Sequence, residues 1–266
     1  MFDTSAILEN ARIAVGDYLR KHTVAVWQEF PEETPFIGSG TCIEINDRLF
    51  ISTAAHNFKD VPRGGKVTLL SANSSSRIPL KVIGQNYGYY GHSRILDTAW
   101  VEIDVQSAEQ ENLFGVPLHT VEPHHVIDIE NGNYEVVGLP MQLHSVTEDR
   151  THYIVPLAVY NTMPGKSADP DDDNLMLDYS ETAMTNQGIV TMPHPGGMSG
   201  GGIWSVPLVD RPDIWIPSKF RLAGIVTDYF HLRDEICGQI RGLRMHHWLK
   251  LVLNDHPELR EHIGDL

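Results

Sequence analysis

A hydroxyl, an imidazole and a carboxylate carry the chemistry in this sequence. Ser199 stands in the run Pro195-Gly196-Gly197-Met198-Ser199-Gly200-Gly201-Gly202, far downstream of Thr53-Ala54-Ala55-His56 and of Leu96-Asp97-Thr98-Ala99-Trp100. A serine hydroxyl is a poor nucleophile at neutral pH, so its attack on a carbonyl needs an imidazole to take the proton. His56 is the candidate base. That imidazole must hold one tautomer and be stabilised once charged, which calls for a carboxylate on its other nitrogen. Asp97 is the candidate. Negative charge then builds on the carbonyl oxygen, where each preorganised backbone N–H commonly lowers the barrier by about 3 to 4 kcal/mol. Glycine has no Cβ and lets backbone approach a substrate closely, so the Gly197 and Ser199 amides are the candidate oxyanion hole. The chemistry proposed is acyl transfer through a covalent serine intermediate, and it needs no cofactor.

Groups so distant along the chain meet only if the elements between them bring them together. Ile7, Leu8, Ala11, Ala14, Val15, Tyr18 and Leu19 recur at helical spacing over residues 4–21, with Asp3 or Thr4 placed to cap. Short strand-like runs follow at Thr23–Phe30, Phe36–Ile45, Leu49–Thr53, Lys66–Leu70, Ile78–Gln85 and Thr98–Ile103, divided by turn-rich pieces. Residues 105–132 are polar, rich in Glu and His and without clear period, which reads as a linker. A second series runs Tyr134–Val137, Tyr153–Tyr160, Leu175–Tyr179, Gly201–Ser205, Ile214–Ile216, Arg221–Thr227 and Gln239–Arg241. Helical spacing returns at Met245, Trp248, Leu249 and Val252 until Pro257 interrupts it. The expected fold class is all-β. Residues 1–22 form an N-terminal helix, 23–120 a first β half with His56 and Asp97, 121–242 a second with Ser199, and 243–266 a C-terminal helix.

With 266 residues and 41% hydrophobic content, the chain can bury one large core or two smaller ones. A formal net charge of −15 argues against nucleic acid as a partner, since phosphate contacts need clustered Lys and Arg. No apolar run approaches the ~18 residues of a membrane span, so no membrane partner is expected. Cys42 and Cys237 lie far apart, and no apolar secretory segment is visible. Reduced thiols and a cytoplasmic location are therefore expected. His124-His125 and His246-His247 lack the spacing of zinc motifs and read as surface or helix-face histidines. Asp169-Pro170-Asp171-Asp172-Asp173 lacks the alternation and final Glu of a calcium loop and reads as a solvated acidic loop. No metal is expected at either. Gly197-Met198-Ser199-Gly200-Gly201 also satisfies G-x-S-x-G, but that nucleophile elbow needs a helix after the serine, which Gly200-Gly201-Gly202 and Pro207 oppose.

Thr53-Ala54-Ala55-His56, Asp97-Thr98-Ala99-Trp100-Val101 and Gly197-Met198-Ser199-Gly200-Gly201, in that order, resemble the signature segments of the trypsin/chymotrypsin-like serine peptidases, in their bacterial form without disulfides. Leu222-Ala223-Gly224-Ile225-Val226-Thr227 is similar to the strand that lines the family's cleft. The resemblance spans residues 36 to 229 and implies two Greek-key antiparallel β-barrels with the cleft between them. It also implies a serine endopeptidase acting on a protein or peptide substrate. By position it places His194, Thr227 and Tyr229 at the substrate pocket, with Pro193 at its floor and Asp228 able to charge it if that carboxylate faces inward. The substrate would add as an extra strand near Thr227.

Two departures from that family matter. Met198 stands where secreted digestive members carry an aspartate that pairs with a cut N-terminus, and no Ile-Val-Gly-Gly-like start is seen. Activation by that ion pair is not expected, so the oxyanion loop is either preformed or ordered by substrate or by a regulatory protein partner. Asn57 stands where a disulfide cysteine is often found. A reading from another class is a peptidase-like binding module, whose cleft holds a protein partner with little turnover.

Overall fold

Short runs of β-branched and aromatic residues favour strands, and in a computed structural model of the chain they assemble into two antiparallel sheets, one per half. The structure describes residues 13–29, 36–58, 66–73, 78–88, 96–143, 145–146, 153–154, 156–169, 172–185, 188–206, 219–231 and 237–266. The first sheet holds β1 (Thr23–Glu29), β2 (Phe36–Ile45), β3 (Arg48–Thr53), β4 (Lys66–Ser71), β5 (Val82–Gly88) and β6 (Thr98–Ile103), ordered β4-β1-β2-β3-β6-β5. A short β7 (Val116–Pro117) adds in parallel to β2. The second sheet holds β8 (Tyr134–Gly138), β11 (Ala158–Thr162), β12 (Asn174–Ser180), β15 (Gly202–Ser205), β16 (Arg221–His231) and β17 (Cys237–Arg244), ordered β11-β8-β15-β16-β17-β12. Hairpins β9 (Ser145–Val146) with β10 (Tyr153–Ile154) and β13 (Thr182–Thr185) with β14 (Gly188–Thr191) stand apart from both.

Each sheet curls until its edges touch. Leu80, just before β5, donates its N–H to Leu69 of β4 at 2.9 Å. In the second half Gly165 N–H bonds Met176 at 2.8 Å and Asp178 N–H bonds Met163 at 3.0 Å, joining the end of β11 to β12. Counted in chain order, the principal strands of both halves then close in one cyclic sequence: first, second, third, sixth, fifth, fourth. In the first half β4 returns beside β1 after the β1-β2-β3 meander, which is the Greek-key connection.

The larger apolar cores among the described residues follow from this arrangement, beside a small cluster of Ala25, Trp27 and Leu139. Val26, Cys42, Ile51, Leu69, Ala99 and Val101 fill the first barrel, and Val136, Leu177, Met198, Ile203 and Val226 the second. The third core is the seam between the barrels. There Ile43, Phe50 and Trp100 from the first half meet Trp204, Leu222 and Ile225 from the second. Helix α1 (described over residues 13–20) contributes Val15 and Leu19 to that seam, and α3 (Met245–Asp255) contributes Trp248, Leu249 and Val252. Strand β6 is buried throughout because its alternate residues serve two cores, Ala99, Val101 and Ile103 facing the barrel and Trp100 the seam. Among the described residues, no helix is long and apolar enough to cross a membrane.

Several sequence expectations are corrected. Residues 105–132 are not a featureless linker: α2 (Val105–Gln110) starts at Asp104, whose side chain accepts the Ser107 N–H at 2.9 Å, and β7 follows. That cap is the signal the composition concealed. The C-terminal helix begins at Met245, because β17 runs on to Arg244; a turn at Pro257–Leu259 and α4 (Arg260–Ile263) follow. The stretch read as Tyr153–Tyr160 is two strands, β10 and β11. The expected strand at Ile214–Ile216 and the start of the first helix lie outside the described residues.

Candidate active site

Register explains how His56 meets Asp97. Strands β3 and β6 pair antiparallel with Thr53 opposite Ala99, so the turn leaving β3 and the residues entering β6 share one end of the barrel. His56 sits in that turn (Ala55–Phe58), and its backbone N–H and Nδ1 reach both oxygens of Asp97, at 2.8 and 2.5 Å. A nitrogen that close to a carboxylate oxygen must carry the proton, so Nε2 is left with its lone pair and can act as base. The double contact also fixes the ring's orientation. Asp97 is only partly enclosed, its side chain 18% exposed and that of His56 37%.

Ser199 arrives from the second half, on the turn between β14 and β15. His56, Ser199, His194, Thr227, Asp228 and Tyr229 line one cleft of about 230 Å³. That is below the ~300–1,000 Å³ of pockets that enclose whole small ligands, so it suits part of a chain. A strand, β15, begins three residues after Ser199, and the G-x-S-x-G elbow reading falls with it.

The turn is held from across the seam. Ser39 of β2 donates its N–H to the Ser199 carbonyl at 2.8 Å and its hydroxyl to the Gly197 carbonyl at 2.8 Å, while accepting the Leu139 N–H at 2.9 Å. Asn57, fully buried, donates through Nδ2 to the Ser199 carbonyl and to the Thr53 hydroxyl, both at 3.0 Å, and Thr53 donates onward to the Ser39 carbonyl at 2.6 Å. Two acceptors facing one amide nitrogen decide its orientation, and Asn57 Oδ1 is left buried without a partner. Gly200 closes the turn at φ +90°, where a Cβ would stand 2.0 Å from the Ser39 carbonyl oxygen, so only glycine fits. Gly38 is needed for the same reason, since its Cβ would lie 2.2 Å from Asn57 Nδ2.

The peptide groups of this turn are oriented one by one. The Gly196 carbonyl accepts the Met141 N–H at 2.8 Å, and the Met198 carbonyl accepts the Gly201 N–H at 2.8 Å. In a planar trans peptide the N–H points opposite to the carbonyl, so these bonds set the directions of the Gly197 and Ser199 N–H groups. Met198, Gly200 and Gly201 spend their own N–H groups on Pro195, Val226 and Met198. Among the described residues, the Gly197 and Ser199 N–H groups have no acceptor. Met198, 2% exposed, anchors the turn in the second barrel's core.

His194, Thr227, Asp228 and Tyr229 line the cleft, and Pro193, expected as its floor, is not among the lining residues. Thr227 is the extra residue of a bulge between β16 and β17, and its hydroxyl donates to the Arg241 carbonyl at 3.2 Å, so its side chain is engaged by β17. Asp228 does not stand as an uncompensated charge. One oxygen accepts the Tyr229 N–H at 2.8 Å and the other pairs with Arg241 at 3.3 Å. His194 packs edge-on against Tyr229, centroids 5.4 Å apart, and accepts the Gly196 N–H at 3.0 Å. Tyr179 donates its hydroxyl to the Pro193 carbonyl, and burial pushes that phenol up from its ordinary value. Sequence reasoning missed Ser39, Thr53 and Asn57 as supports of Ser199. Only the adjacency of Asn57 to His56 pointed there.

No protein-family model matches the chain, and no curated protein matches it.

Proposed function

We propose that the protein is a serine endopeptidase of the trypsin-like kind, cleaving peptide bonds through an acyl-enzyme. Ser199 attacks, His56 takes its proton and later returns it to the leaving amine, and Asp97 holds the imidazole and stabilises its charged form. The Gly197 and Ser199 amides receive the oxyanion. One observation carries this reading: the two N–H groups this chemistry needs are the two in the turn without an acceptor among the described residues, beside a paired His56–Asp97. A pure binding cleft gives no reason for that pattern. The orientation of both peptides supports a preformed oxyanion hole, with no N-terminal ion pair required. With Asp228 compensated by Arg241, the side chain accepted before the cut is uncharged. Cys42, buried in the first barrel and unpaired, with burial pushing its thiol up, suits a reducing compartment such as the cytoplasm.

A peptide-library cleavage profile tests the proposal. The expected result is cleavage that disappears with Ser199→Ala and a preference for uncharged residues before the bond. Binding of peptides without turnover, equal in parent and variant, would make the protein the binding module instead.

A further inference from the structure

Register brings three metal-ligating groups together away from the cleft. Asn174 of β12 pairs with Leu243 of β17, so Asp173, just ahead of β12, falls beside the segment where β17 runs into α3. The Arg244 N–H bonds the Asp173 carbonyl at 3.2 Å, which fixes that neighbourhood. Its carboxylate Oδ1 then lies 3.5 Å from His246 Nε2 and 3.3 Å from His247 Nε2, and the three ligand atoms lie within 4.8 Å of one another.

We propose that Asp173, His246 and His247 form a site for a divalent zinc-class ion that staples α3 to the second barrel. Four ligands at about 2.0–2.1 Å around a tetrahedral zinc stand roughly 3.4 Å from each other, which is the spacing Asp173 keeps to both histidines. His246 gives its Nδ1 to the Pro123 carbonyl at 3.3 Å, and that bond leaves the Nε2 lone pair pointing at a carboxylate. An ion between them turns this repulsion into coordination, and a carbonyl on the outer nitrogen is the usual second-shell partner of a metal-bound histidine. His247 Nε2 is buried and faces Asp173 Oδ1 at 3.3 Å. The other groups facing the pair are Arg244, Lys250 and the exposed ring of His124, stacked on His246 at 5.2 Å. Asp173, its side chain 52% exposed, leaves the way open for the ion and for water as fourth ligand. Because Asp173 leads into β12 and both histidines open α3, the ion would tie the second barrel to the C-terminal helix.

The test uses the full chain, stripped with a chelator and titrated with zinc. One equivalent should bind, with a saturable rise in Tm, and cobalt in its place should give the visible absorption of a tetrahedral centre. Asp173→Asn and His247→Gln should each weaken zinc by about tenfold or more, and His56→Ala should not. Lack of stoichiometric zinc binding overturns the proposal, as does zinc binding unchanged in both site variants, binding of magnesium or calcium alone, or binding lost in His56→Ala.

Discussion

At the residue scale, the proposed nucleophile and base are distinct from the side chains that aim them. Ser199→Ala or His56→Ala should reduce peptide cleavage by about 10⁴ to 10⁶ while leaving the circular dichroism spectrum and Tm near those of the parent. Steady-state kinetics and a melt check both halves of that statement. Asn57 makes a different claim. Asn57→Asp keeps the shape but replaces the donor to the Ser199 carbonyl with an oxygen, so kcat should fall by about tenfold or more with KM little changed. It should also cost about 1–3 kcal/mol of stability in a denaturant titration, because buried acceptors lose their partner. An Asn57→Asp enzyme with parental kcat would show that the Ser199 turn holds itself. The proposed reacting groups were legible in the sequence because such chemistry demands particular residue types in glycine-rich or strand-end company. Ser39 and Asn57 were not, since a serine between two glycines and an asparagine after a histidine acquire their roles only when β2 and the β3 turn are laid against the second barrel.

At the scale of elements, the seam helix α3 supports the first barrel at the Asp97 strand. Trp248 is fully buried and donates Nε1–H to the Ala99 carbonyl at 3.0 Å, two residues beyond Asp97, and Trp100 donates Nε1–H to Asp255 at 2.9 Å. Trp248→Ala should cost about 3–5 kcal/mol by the cavity it opens. Trp248→Phe should cost less and isolate the hydrogen bond. Calorimetric melts of the two variants make the comparison, and equal losses would mean that packing contributes nothing beyond the bond. Most strands announced themselves by residue type, and β2 and β6 ran over the expected residues. What stayed hidden was set by pairing: β5 starts at Val82 rather than Ile78, and the Thr182–Thr191 hairpin carries too few large apolar residues for periodicity to reveal it. Asp173 was readable as an acidic loop but not as a neighbour of His246, because the β12–β17 register decides that.

For the molecule as a whole, two barrels of one cyclic strand order meet along an apolar seam, and the cleft opens where that seam reaches the ends of β3 and β6. His22 lies in this seam, its ring against Tyr18 and Trp204 and its Nδ1 donating to the Phe114 carbonyl at 2.8 Å. Burial holds the imidazole below its ordinary value of 6.5, the Phe114 bond opposing and Lys21 adding to the effect. The unfolded chain therefore takes up the proton more readily than the folded one. The stability that neutral His22 supports is present above about pH 6.5 and drains away as the pH falls below it. His22→Asn, which keeps a donor for Phe114, should give a shallower fall of Tm between pH 7 and pH 5; a slope equal to the parent's would remove His22 from the explanation.

The central claim is that Ser199 becomes a nucleophile through His56 and Asp97. Incubation with a fluorophosphonate, followed by intact-mass measurement and peptide mapping, tests it most directly. The account predicts one phosphonyl adduct, located on Ser199, formed rapidly by the parent and lost or slowed by orders of magnitude in His56→Ala. An unmodified parent chain, an adduct on another residue, or labelling that ignores His56 would contradict it.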